Sequence, residues 1–220
     1  MQVSHAIRER RSIRAFLPEP IPTETVRQII DLAKWSPSWA NAQDWNVYVL
    51  QGEALERVRA AYTVLGEESA QAQTDLPMPP TDWPEYLASR MAARRPSAEA
   101  PGAPHGSRSG GPSVWNFYEA PCVVFLALDP ALEPTYACFD AGLFAQTLCL
   151  AAEDRGFSTC IMAMAIRYAD ILHEVIGEAK GERFVIGIAL GSADHSAVAN
   201  RGERNRVDTD EITTFIGGDE

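Results

Sequence analysis

The 220-residue chain contains no apolar run of the roughly 18 residues that a membrane-spanning helix requires. Its first residues, MQVSHAIRERRSIR, lack the apolar core of a secretory leader, so a cytoplasmic location is expected. Cysteine is scarce. Cys122, Cys138, Cys149 and Cys160 are widely spaced, sit in mostly apolar stretches and form no CxxC pair. That argues against a zinc site or a thioredoxin-like motif and for reduced, buried thiols. Positive charge is also short: 19 Lys and Arg stand against 30 Asp and Glu, for a formal net charge of -11. An acidic surface repels phosphate backbones, so nucleic acid is not expected as a partner, and without a spanning run neither is a membrane. The histidines His5, His105, His173 and His195 are scattered, and each is read as structural or surface. No internal repeat is visible.

Hydrophobic residues make up 46% of the chain, enough for the core of one compact domain spanning 1–220. A short helix is expected over His5–Arg14 with Ser4 as N-cap, and a second over Glu24–Trp35 with Thr23 as N-cap. Pro37 stops the second helix. Asn46–Gln51 has strand composition, and Glu53–Val64 reads as helical. Residues 65–115 are an inserted loop or lid, rich in proline. They read as partly helical around Trp83–Ala93 and are dominated by turn formers from Pro96 to Ser113.

Order returns with CVVFLAL, Cys122–Leu128, whose unbroken apolar run suits a buried strand. Tyr136–Arg155 is apolar on nearly every face, the mark of a helix buried in a core or a subunit interface, and Gly156 follows as its C-cap. Phe157–Met162 and Arg183–Gly191 read as strands. Tyr168–Ile176 is a helix capped by Gly177, and Asp208 caps a final short helix. Pattern alone supports an α+β domain.

Two arginine groups stand out against the acidic background. Arg10-Arg11-Ser12-Ile13-Arg14 offers bidentate phosphate donors plus a hydroxyl, and on a helix Arg10 and Arg14 would share a face. Arg204-Asn205-Arg206 lies near the end of the chain. Between them, Pro37-Ser38-Trp39-Ala40-Asn41-Ala42-Gln43 is a polar loop able to present amides to a flat heterocycle.

The order and spacing of RRSIR, PEPIP, SPSWANAQDW, FDAGLFAQTLCLAAEDRGF and FVIGIALG, with Arg204 and Arg206 after them, resemble the FMN-dependent nitroreductase family over residues 5–62 and about 117–215. The resemblance implies an α+β fold with a mixed sheet flanked by helices. It also implies a homodimer joined through the long central helices, with two FMN sites at the interface. Arg10, Arg11, Ser12 and Arg14 would meet the FMN phosphate and ribityl chain, with Arg204 and Arg206 closing on the phosphate. Pro37, Ser38, Trp39 and Asn41 would line the isoalloxazine from the partner subunit. Met162 and Ala163 would donate backbone N–H groups near N5 and O4, and Gln146 would face the interface.

NADH or NADPH would reduce the flavin, and a small nitroaromatic or quinone-like acceptor would then replace the nicotinamide in ping-pong fashion. No catalytic acid or base and no metal is implied. Open alternatives are a dehalogenase, dehydrogenase or flavin-fragmenting enzyme of the same fold, or a non-catalytic FMN-binding protein. Asp44 stands where many members carry proline, and its carboxylate is expected to point outward. An NADPH preference would need a cation near the 2′-phosphate, for which Arg90, Arg94 and Arg95 are candidates by charge.

Overall fold

The computed structural model describes residues 1–78, 82–92, 114–179, 181–201 and 204–217. The expected flexible tract from Pro96 to Ser113, with Arg94, Arg95 and His105, lies outside the described residues.

Four strands form the sheet: β1 (Trp45–Gln51), β2 (Cys122–Leu128), β3 (Ser158–Met162) and β4 (Arg183–Gly191), in the order β1-β2-β4-β3. All three pairings between them are antiparallel. Parallel pairing occurs at the isolated bridges Ser12–Thr159 and Gln73–Tyr168. The helices are α1 (Val3–Glu9), α2 (Thr23–Ala33), α3 (Gly52–Glu67), α4 (Glu85–Ala92), α5 (Pro134–Asp154) and α6 (Ala169–Val175).

Strand β2 lies inside the sheet and is buried at every residue, which is why its sequence is an apolar run rather than an alternation. Its side chains feed two cores. Val123, Phe125 and Ala127 join α3 and α6 on one face, and Val124, Leu126 and Leu128 join α2 and α5 on the other. Helix α5 buries nine of its residues, and its 21-residue length crosses the sheet. Its end is closed by Gly156 at φ 79°: Phe157 N–H donates to Ala152 O and Gly156 N–H to Glu153 O, both near 3 Å. This satisfies carbonyls that the helix itself leaves unpaired.

Several local expectations need correction. Helix α1 stops at Glu9, because the chain turns extended at Arg10 (φ -49°, ψ 124°). Gln2, not Ser4, occupies its N-cap, with no side-chain cap bond. Thr23 lies inside the first turn of α2, behind Pro22. Helix α6 ends at Val175, and Gly177 opens a separate 3-10 turn instead of capping it. Asp208 precedes the short turn Thr209–Glu211 but makes no side-chain cap bond.

Within segment 65–115, the described part is tied down. Gln73 exchanges main-chain bonds with Arg167 and Ala169. Asp75 accepts from Phe184 N–H at 3.0 Å and lies 3.1 Å from His173 Nε2, while His173 Nδ1 faces Ala179 O. The His173 ring also packs on Phe184, so this histidine is structural.

Candidate functional site

The arginine motif is held by chain pairing, not by a helix. Ser12 bridges Thr159 at the start of β3, and Ile13 N–H donates to Thr159 O at 3.0 Å. Ile13 is buried, so extended alternation turns Ser12 and Arg14 to the opposite side. Arg10 and Arg14 therefore do not share a helical face. The Arg14 guanidinium instead donates to Ser12 O at 3.2 Å.

Asn200, which motif reading missed, fixes this run. Its Oδ1 accepts from Arg14 N–H at 2.7 Å, and its Nδ2 donates to Ala15 O and Asp194 O at 2.8 Å. Arg204 closes on the motif through Nη1 to Arg10 O at 2.5 Å. Burial, and then the positive charges of Arg11, Arg10 and Arg206, hold the Arg204 guanidinium below its ordinary pKa. Four guanidiniums thus repel one another at one end of β3. Burial raises the carboxyl of nearby Glu153, against the pull of Arg10 and Arg204. An anion arriving here relieves the mutual repulsion of the arginines.

Strand β3 is an edge strand. From Thr159 to Ala163 the extended chain covers about 13 Å. Ile161, 40% exposed, presents an apolar side chain midway. Met162 faces the core with its side chain, leaving only its backbone for an outside ligand. Ala163 opens the 3-10 turn Ala163–Ile166, which Tyr62 anchors by its hydroxyl to Ala165 O at 2.8 Å and Tyr168 O at 3.1 Å. Ala163 also walls an apolar cavity of about 490 Å³ with Leu76, Pro77, Met78, Cys138 and Ile186. Along β3 there thus follow in order a cation cluster, an exposed apolar side chain and an apolar cavity. That donor set fits an elongated ligand with a phosphate at one end and a flat ring at the other, as FMN has.

The Pro37–Asn41 loop lies toward the opposite end of α5 from the arginines. Ser36 Oγ is 2.8 Å from Thr147 Oγ1, and Trp39 N–H donates to Asp140 Oδ2 at 2.7 Å. Both acceptor residues belong to α5. Trp39 is 67% exposed and packs its ring 5.4 Å from that of Tyr136. Pro37, Ser38, Trp39, Tyr136, Phe139 and Leu143 line an open apolar cavity of about 690 Å³. Asn41 is exposed, in a left-handed conformation. Asp140, beside this loop, and Glu153, beside the arginines, are 13 residues apart on α5, about 20 Å at helical rise. Arg10, Arg11, Arg204 and Arg206 thus gather at the start of β3, with Ser12 and Arg14 on the adjoining run, whereas Met162 and Ala163 end that strand, where the Ala163 cavity and the cavity of Pro37, Ser38 and Trp39 share Thr135 of α5.

Asp44 corrects another expectation. Its Oδ1 is buried without a hydrogen-bond partner, and burial, with the like charge of Asp140 behind it, raises its pKa. Arg90 is engaged over the Tyr86 ring and with Glu211 at 3.5 Å. Asp140 and Thr147 were missed as functional residues. Their one signal is polarity within an otherwise apolar helix.

The chain is thus an α+β protein with helices on both faces of an antiparallel sheet and an arginine cluster at one end of its edge strand. The nitroreductase family pattern matches residues 7–192, and the chain belongs to that family. It is 33% identical to the chloronitrobenzene nitroreductase of Comamonas testosteroni over 97% of this chain and 96% of that one. It is 30% identical to a 4-nitrobenzoate reductase of Pseudomonas putida, over 97% and 95%. The crystal structure of the FMN-dependent nitroreductase NfnB from Mycobacterium smegmatis in complex with NADPH superposes with TM-score 0.84 at 30% identity, covering 97% of each chain. Among the described residues no helix is long and apolar enough to cross a membrane.

Proposed function

We propose that this protein is an FMN-dependent oxidoreductase that draws electrons from NAD(P)H and reduces a small nitroaromatic or quinone-like acceptor. The observation that carries it is the arginine cluster at the head of the edge strand in a strongly acidic chain: Arg204 closes on Arg10 O, next to the Ser12–Thr159 bridge, with Arg11 and Arg206 beside it. Membership of the family and the nitroreductase activities of its relatives support the same reading.

Bound FMN supplies the electron transfer between donor and acceptor. The chain's residues bind and orient. Arg10, Arg14, Arg204 and Arg206 neutralise the phosphate, and the Ser12 hydroxyl adds a neutral donor. The Met162–Ala163 backbone and Ile161 back the ring. The apolar cavity beside Ala163 suits an uncharged aromatic ring, and Leu76, Pro77 and Met78 in its wall support reading the described residues 65–78 as part of an acceptor-facing insert in a single domain. No side chain is assigned a proton-transfer role.

The working unit is a two-fold homodimer. Tyr136, Phe139, Leu143, Gln146 and Leu150 recur at helical spacing along α5, and Tyr136 and Phe139 are 62% and 63% exposed. Packing of two such faces about a two-fold axis carries the Trp39 loop of each copy to the flavin site of the other, giving two equivalent sites. A cytoplasmic location agrees with four free cysteines.

Arg10→Ala combined with Arg206→Ala tests the cradle. Removing two charge-assisted contacts is expected to weaken FMN binding by about 100-fold or more while the protein stays folded. Full flavin occupancy in that variant would overturn the assignment.

A further inference from the structure

We propose that Asp140 is a positioning residue acting across the dimer: its buried carboxylate fixes the Trp39 loop of its own chain in the shape that completes the flavin site of the partner. The inference rests on the dimeric FMN reading above. Asp140 is 2% exposed on a helix whose other buried residues are apolar or cysteine. A buried carboxylate is costly to keep unless it holds a specific donor. Here Oδ2 accepts the Trp39 main-chain N–H at 2.7 Å.

The loop has reason to need holding. Ala40, Asn41 and Gln43 lie at φ 49°, 61° and 51° without a glycine among them. Such conformations persist where surroundings over-determine them. Gln43 N–H donates to Ser38 Oγ at 2.9 Å inside the loop, and two ties anchor it outside. These are Ser36 to Thr147 and Trp39 to Asp140. Thr147 and Asp140 are seven residues apart, two turns on one face of α5. The helix that carries the proposed interface thus also sets the height and angle at which Trp39 projects from it. In the dimer of that reading the Trp39 loop projects into the partner's site, so the effect of Asp140 falls on the partner's flavin.

The test compares Asp140→Ala with Asp140→Asn, which keeps an acceptor oxygen in place. Asp140→Ala is expected to weaken FMN binding by about tenfold or more and to raise the acceptor KM, while Asp140→Asn stays within about threefold of the parent. If Asp140→Ala does not fold, Asp140→Glu takes its role, since it carries the acceptor one methylene too far. Differently tagged subunits carrying Asp140→Ala and Arg10→Ala/Arg206→Ala are then co-expressed and the mixed dimers purified. One native cradle and one native loop meet at a single site, so each mixed dimer is expected to regain one tight FMN. Mixed dimers with no tight site, or Asp140→Ala binding FMN as the parent does, would overturn the proposal. Failure of the unmutated protein to bind FMN or to dimerise would instead overturn the functional reading beneath it.

Discussion

Arg14 and Asn200, 186 positions apart, are joined by a 2.7 Å hydrogen bond from the Arg14 main-chain N–H to Asn200 Oδ1. The same amide donates to Ala15 O and Asp194 O, so one side chain pins the extended run that carries the phosphate donors. Asn200→Ala leaves those part-buried groups unsatisfied. It is expected to cost about 1–3 kcal/mol of stability. FMN affinity should fall by about tenfold, equivalent to 1.4 kcal/mol, as Arg14 loosens. Urea denaturation of the apoprotein and flavin titration read the two effects separately.

Gly187 lets β4 approach the turn that carries Ala163. A Cβ added there would lie 2.5 Å from Ala165 Cβ and 3.2 Å from Phe125 Cε1. Neither neighbour has a flexible end to move aside. Gly187→Ala is expected to cost about 1–3 kcal/mol by overpacking. It should also lower flavin affinity by displacing the turn. A parent-like melting temperature would contradict this packing.

Asp44 is destabilising as an anion. Burial raises its folded pKa above the ordinary 3.8, so the fold favours the protonated form. The penalty is fully present above the raised folded pKa and disappears below the unfolded one. Asp44→Asn is therefore expected to stabilise the protein at neutral pH, with the gain shrinking as pH falls and absent below about 3.8. Chemical denaturation across pH 3–8 checks the slope.

The sheet strands were the most legible part of the chain. Cys122–Leu128 and the Phe184–Gly191 part of Arg183–Gly191 are unbroken apolar runs bounded by polar or turn residues, and the structure places β2 and β4 there. Helix α5 was readable for the same reason, with Gly156 marking its end. The stretch Arg10–Arg14 was over-read as helix, because the local sequence carries no sign that Ile13 pairs with Thr159, 146 positions away. Motif order identified the arginine cluster, while its geometry came from long-range pairing and from Asn200. The left-handed residues Ala40, Gln43, Phe117, Tyr118 and Glu119 gave no warning, since none is glycine or asparagine. The importance of Asp140 was hidden with them: its role exists only because the Trp39 loop is strained and needs an acceptor.

The central claim is that this chain holds FMN and cycles it between NAD(P)H and a nitroaromatic acceptor. The direct measurement is the visible flavin absorbance of the FMN-loaded protein under anaerobic conditions, with NADPH or NADH added first and nitrobenzene after it. The account predicts that the pyridine nucleotide bleaches the flavin band and that nitrobenzene restores it while its nitro group is reduced. A protein that takes up no FMN, or a bound flavin that neither nucleotide bleaches, would contradict the account.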